Sequence, residues 1–163
     1  MDRKTKFQKK HSSAMFISTA DFMPIVEEKI ANGQSVELSP RGISMLPLLR
    51  EGCDSVVLSP ITQRLKKYDI ALYRRPDGSY ILHRIVAVKD GVYTIVGDNQ
   101  FVYERGVTDQ QMIAVVTSIR RGGKLISAES RRQRIYAVLL HRTRAIRHLP
   151  RRLVRKIKRL LSH

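Results

Sequence analysis

The 163-residue chain has no tryptophan, a single cysteine, few acids and no long apolar run. A lone Cys53 excludes an internal disulfide and leaves no thiolate cluster for a structural metal, so a reducing compartment fits the composition. In the C-terminal third the longest uninterrupted apolar stretch, Ile135 to Leu140, is six residues; a helix crossing a bilayer needs about 20. Nearer the N-terminus, Met15 to Val26 is broken by Ser18, Thr19, Asp21 and Pro24. It does not read as the apolar region of a signal peptide, although a basic segment precedes it. These absences predict a protein that is cytoplasmic or peripheral at the cytoplasmic membrane, without a transmembrane segment or export signal.

The shortage of acids is local. Fourteen Asp and Glu oppose thirty-one Lys and Arg, a net charge of +17. Residues 1–10 hold five bases and one acid, and residues 120–163 hold fifteen bases and one acid. Between them, residues 11–119 hold eleven bases and twelve acids. The middle is therefore neutral, and the cationic ends are what would seek an anionic partner such as a phospholipid surface or nucleic acid. The length gives room for one domain with a real core plus an appendage.

Residues 1–13 are polar, basic and aperiodic, which predicts disorder. From a cap at Ser18 or Thr19, the apolar residues Phe22, Ile25, Val26 and Ile30 recur at helical spacing until Asn32-Gly33 closes the segment. A short helix is expected, with Pro24 tolerated only in its first turn. From Val36 to about Ile126 the pattern changes to β. Runs rich in Val, Ile and Tyr at 54–58, 69–74, 79–88, 92–96 and 112–120 are punctuated by Pro76-Asp77-Gly78, Asp90-Gly91 and Gly122-Gly123. Short strands joined by tight turns predict a mainly β domain over 14–126, an antiparallel barrel or sandwich.

After Ile126 the chain turns helical and basic. Ile146, Leu149, Leu153, Ile157 and Leu160 fall at steps of three and four among arginines and lysines, and Pro150 suits the first position of a second helix. Residues 127–163 thus predict a basic amphipathic helical tail broken near Leu149. Its composition fits an anionic membrane surface. Packing of the stripe back on the domain competes with that reading, and nucleic-acid binding is a weaker third.

The candidate chemistry lies in three separated stretches: Gly42-Ile43-Ser44-Met45-Leu46-Pro47, Leu82-His83-Arg84-Ile85-Val86 and Gly97-Asp98-Asn99. A serine hydroxyl is a weak nucleophile near neutral pH, whereas a histidine of ordinary pKa about 6.5 can take its proton, and an ionised aspartate can orient the imidazole. Ser44, His83 and Asp98 supply those three parts. Each also has a plainer reading: Ser44 as a turn cap, His83 as a core histidine beside Ile81 and Ile85, Asp98 as a turn residue.

Taken together and in order, the stretches G-x-S-M-x-P-x-L, Asp-Ile-Ala-Leu-Tyr, L-H-R-I-V and G-D-N resemble the type I signal peptidase superfamily, which includes the LexA-like self-cleaving repressors. The resemblance runs from about Val36 to Lys124. It implies a mostly β protease fold with an apolar substrate groove, Ser44 as nucleophile, and His83 where the endoplasmic-reticulum and archaeal-type branch carries its base. It further implies Asp98 as the supporting acid, with Glu104, six positions on, as a possible second.

Gly42 and Pro47 would fix the loop that presents the hydroxyl, and Met45 would line the groove or touch lipid. The Ser44 N–H, with that of Gly42, would form the oxyanion hole. Arg84 would brace neighbouring strands. Cys53 interrupts the family's usual G-D pair and is expected to be a small buried filler.

The expected function is therefore a serine endopeptidase that cuts a leader or signal-like peptide through an acyl-enzyme, with no metal or organic cofactor. The resemblance implies small side chains one and three positions before the cut. Activity would rise near pH 6 to 7 if His83 kept its ordinary pKa of about 6.5. Two other classes compete: a catalytically idle membrane-surface binding module, and a self-cleaving LexA-like regulatory protein, against which the lack of an evident helix-turn-helix weighs.

Overall fold

The computed structural model describes residues 19–147. The expected disorder of residues 1–13, the Ser18 cap and the second tail helix after Pro150 fall outside them. The first element is helix α1 (Thr19–Ala31). It buries Met23, Val26 and Ile30, with Phe22 packed beside them, while Ile25 faces outward. Pro24 is the sixth residue of α1, beyond the expected first turn, and so removes one rung of the helical ladder. At the other end Gly33 adopts φ +78°, its N–H donating to Ile30 and that of Gln34 to Lys29. That paired closure is a Schellman motif, and glycine reaches its left-handed conformation without a Cβ penalty.

Among the described residues eight strands follow: β1 (Val36–Leu38), β2 (Asp54–Ser59), β3 (Ile70–Arg74), β4 (Tyr80–Lys89), β5 (Val92–Val96), β6 (Glu104–Thr108), β7 (Met112–Arg121) and β8 (Lys124–Ser127). Together they make one antiparallel sheet in the order β1-β2-β7-β3-β4-β5-β6, with β8 also paired to β7. The sheet does not close. It is an open, sandwich-like arrangement in which β1 and β6 are the two ends.

Strand β3 explains why the sheet wraps. Its alternate side chains feed two separate cores: Ile70 and Leu72 join α1, Val56, Leu58 and Val116, while Ala71 and Tyr73 join Ile85, Tyr93 and Ile95. A strand buried on both faces reads as a continuous apolar run, and Ile-Ala-Leu-Tyr does.

The C-terminal segment begins with α2 (Arg131–Arg142), capped by Ser130 accepting from the Gln133 N–H, and continues as α3 (Arg144–Arg147). The two are separated at Thr143, whose hydroxyl donates back to the Leu139 carbonyl at 2.7 Å. Ala137 and Leu140 are buried, whereas Ile135, Leu139 and Ile146 are exposed on the outer side. Part of this segment therefore packs on the domain and part presents apolar side chains outward. Among the described residues no helix is long and apolar enough to cross a membrane.

Candidate active site

Register along the sheet decides which acid meets the histidine. Side chains alternate between faces, so Ile81, His83 and Ile85 share one face of β4, and Arg84 takes the other. Ile85 pairs with Ile95, and Ile95 with Glu104. That chain of partners carries Glu104 to the face of His83. Arg84 pairs with Val96, and Asp98 lies two residues beyond Val96, on the Arg84 side.

The side chains follow this geometry. Glu104 Oε1 is 3.5 Å from His83 Nδ1. Asp98, fully buried, accepts from Arg84 Nε and Nη2, each at 2.8 Å, while Arg84 Nη1 donates to the Tyr68 carbonyl at 2.9 Å. Asp98, expected to orient the imidazole, is thus placed on Arg84, and its charge also raises the His83 pKa. Its carboxylate holds the strand-bracing arginine, and Glu104, expected only as a second acid, stands behind the imidazole.

The other ring nitrogen, Nε2, faces the serine loop. A Cβ built on Gly97 would fall 3.0 Å from His83 Nε2 and 2.7 Å from the Ser44 carbonyl oxygen, so those two atoms are separated by at most the sum of these lengths. Gly97 thus permits a close approach that any side chain would block. The neighbouring turn fastens the loop: the Asn99 N–H donates to the Ser44 carbonyl at 2.8 Å, and Asn99 Nδ2 to the Ile43 carbonyl at 3.2 Å.

The far end of the loop is tied down by buried Asp54, which accepts from Arg121 Nε at 2.9 Å and from the Arg50 N–H at 2.9 Å. Arg121 also donates to the Leu48 carbonyl. These guanidinium bonds hold the Asp54 carboxyl well below the usual range.

Ser44, half-buried, and His83 line one cleft of about 630 Å³, walled by apolar Phe22, Leu38, Met45, Leu72 and Leu82. Among the described residues no hydrogen bond joins the Ser44 hydroxyl to the imidazole. Such bonds often tighten only when substrate is bound.

Burial sets the state of the histidine. Loss of hydration pushes the His83 pKa down to about 4; Glu104 pulls it up and Arg75 pushes it down. Glu104 is itself shared, because Arg75 Nε donates to its Oε2 at 2.8 Å and a second guanidinium nitrogen to Oε1. That pairing keeps the Glu104 carboxyl below its ordinary value. At neutral pH the site therefore holds a neutral imidazole beside an ionised carboxylate. A proton carried on Nδ1, the nitrogen on the Glu104 side, would leave a lone pair on Nε2 for the cleft.

The remaining expectations divide. Met45 is buried and lines the cleft. Gly42 lines it too, at φ +89°, but its N–H donates to Glu51 Oε2 at 3.1 Å and so is engaged away from an oxyanion. Among the described residues the Ser44 N–H meets no protein acceptor and remains the free donor. Pro47, in a cis peptide with Leu46, is exposed and is not among the residues lining the cleft. Cys53 is exposed rather than a buried filler, because Asp54 beside it takes the buried place.

Sequence reasoning gave no role to Arg75 or Gln100, and quoted Gly97 without one. A glycine directly before an acid was the only visible signal for any of them. Neither a scan against protein-family models nor a search of curated proteins finds a match to this chain.

Proposed function

We propose that this protein is a serine endopeptidase of the signal peptidase type, in the Ser-His branch, cutting a leader or signal-like peptide. The observation that carries the reading is the orientation of His83. One nitrogen faces the Ser44 loop across Gly97 and the other faces Glu104, with Ser44 and His83 opening on one apolar cleft. In the reaction, Nε2 takes the Ser44 proton as Oγ attacks the scissile carbonyl carbon. The resulting oxyanion accepts from the Ser44 N–H, and the imidazolium returns its proton to the departing amine. Water then repeats the sequence on the acyl-serine and releases the acid. The proposed site draws on protein groups alone.

The cleft suits an extended chain. Residues Tyr80 to His83 pair with β3 on one side, and β5 begins to pair only at Arg84, so among the described residues the other side of that half-strand has no strand neighbour. Residues 37–42, from the end of β1 onward, line the same cleft. A peptide entering between them can add backbone hydrogen bonds to either edge.

The partner proposed for the C-terminal segment is an anionic membrane surface, which would make the enzyme peripheral at the cytoplasmic membrane. Exposed Ile135, Leu139 and Ile146 are flanked by exposed Arg131, Arg132, Arg134 and Arg142, the apolar-plus-cationic surface that binds at a lipid interface.

The test is incubation of the purified chain with leader-like peptides and mass spectrometry of the products. The wild type should release a discrete pair of fragments, and Ser44→Ala and His83→Ala should release none while remaining folded. Cleavage at wild-type rate by either variant removes the mechanism.

A further inference from the structure

We propose that Arg144, in the C-terminal segment, is a positioning residue for the candidate site: it holds the turn that keeps the nucleophile and base in register. The inference rests on the peptidase reading for its kinetic consequence, but its geometry stands apart from that reading. Arg131, Arg132, Arg134 and Arg142 are exposed, as charged helix residues usually are. Arg144 is only 4% exposed.

Its guanidinium is directed at the turn 97–100. Nη1 donates to the Gly97 carbonyl at 3.2 Å and to the Gln100 carbonyl, and Cζ lies 5.5 Å from the centre of the Tyr103 ring. The same turn is closed internally by the Gln100 N–H donating to Gly97 at 3.0 Å.

That turn is where the reacting groups are spaced. Gly97 separates the Ser44 carbonyl from His83 Nε2, and Asn99 ties the serine loop through its backbone and its side chain. A second contact from the helices reaches the same place: the Tyr136 ring lies 5.9 Å from Arg84 Cζ, and Arg84 holds Asp98. The helical segment is thus fastened to the turn at Gly97 and Gln100, and reaches Asp98 through Arg84. Burying a cation costs free energy unless its donors are bonded, and the two turn carbonyls give the buried Nη1 its acceptors. Without Arg144 the turn is free to relax, and Ser44 and His83 shift relative to each other.

The experiment compares Arg144→Gln and Arg144→Lys with the wild-type full chain. Two readouts are used, steady-state cleavage of a leader peptide and the NMR titration of His83. Displacement of a reacting group by about 1 Å costs about 10²-fold in rate. For Arg144→Gln the expected result is therefore a kcat lower by about that factor, with KM changed by less than about threefold. The His83 titration should move up toward its ordinary value as water reaches the ring. Arg144→Lys restores the charge at a single point and should recover kcat only in part, to about tenfold below wild type.

A purely structural role would lower the unfolding midpoint but leave kcat and the His83 titration of the folded fraction unchanged, and that result overturns the inference. Should Arg144→Gln not fold, Arg144→Lys decides, and wild-type kcat with an unmoved titration overturns the inference. Should the wild type cleave nothing, the peptidase reading fails by itself. The titration alone then judges the positioning role: a shift supports it, and no shift ends it.

Discussion

Burial of His83 makes the protein acid-sensitive by a predictable amount. Its folded pKa is held at about 4, whereas in the unfolded chain it returns to about 6.5. The folded value is the lower one, so the contribution to stability is fully present above about pH 6.5 and is lost as pH falls toward 4. Each unit of difference corresponds to about 1.4 kcal/mol, so the loss amounts to about 2 kcal/mol by pH 5 and about 3 kcal/mol by pH 4.

The reference for this measurement is His83→Gln, which cannot titrate. Urea unfolding of both proteins at several values between pH 7 and pH 4, followed by subtraction, cancels groups common to the two. Among these are His141 and the low-range carboxyl of Asp54. The wild type should lose about 3 kcal/mol more than the variant over that interval. Parallel curves would mean that the imidazole is hydrated and ordinary, and the account of the site electrostatics would fall with them.

Three further outcomes follow from the geometry. Gly97→Ala drives a methyl to 2.7 Å from a backbone oxygen that cannot swing away; cleavage should fall about 10²-fold or more, read from kcat/KM. Glu104→Gln should lower kcat while leaving KM nearly unchanged, and should drive the acid limb of the pH–rate profile below its wild-type position, because the larger of the two carboxylate contributions that raise the His83 pKa is gone. An acid limb that stays in place would refute the assignment of Glu104. Asp98→Asn leaves Arg84 buried without its counter-charge, and should cost about 3–5 kcal/mol in unfolding free energy, with residual activity in the folded fraction.

Much of the framework was visible in the residues. The Val, Ile and Tyr runs marked β2, β3, β4, β5 and β7 to within a residue or two, because those strands bury side chains on one or both faces. Strand β6 was not visible: Glu-Arg-Gly-Val-Thr buries only Val107, and at the end of the sheet it carries no apolar alternation to read. Strand β8 is short and mostly exposed and escaped for the same reason. That blind spot had a consequence, because β6 carries Glu104.

The choice between Asp98 and Glu104 could not be made along the chain. His83 and Arg84 are neighbours pointing to opposite faces, and which acid meets which depends on the register of β4, β5 and β6. The competing cations, Arg84 for Asp98 and Arg75 for Glu104, join only through that register. Arg144 was lost among basic residues for a related reason. Composition shows a cationic tail, while burial of one member of it is decided by the packing of α2 and α3 against the domain.

The account depends most directly on a proton passing from the Ser44 hydroxyl to His83. The decisive measurement is covalent labelling by a peptidyl phosphonate, followed by intact mass and peptide mapping. Wild type should acquire one adduct, located on Ser44, at a rate that falls with protonation of a group of pKa near 4, and His83→Ala should label at least about 10²-fold more slowly. Equal labelling of His83→Ala, or an adduct on any other residue, would contradict the mechanism.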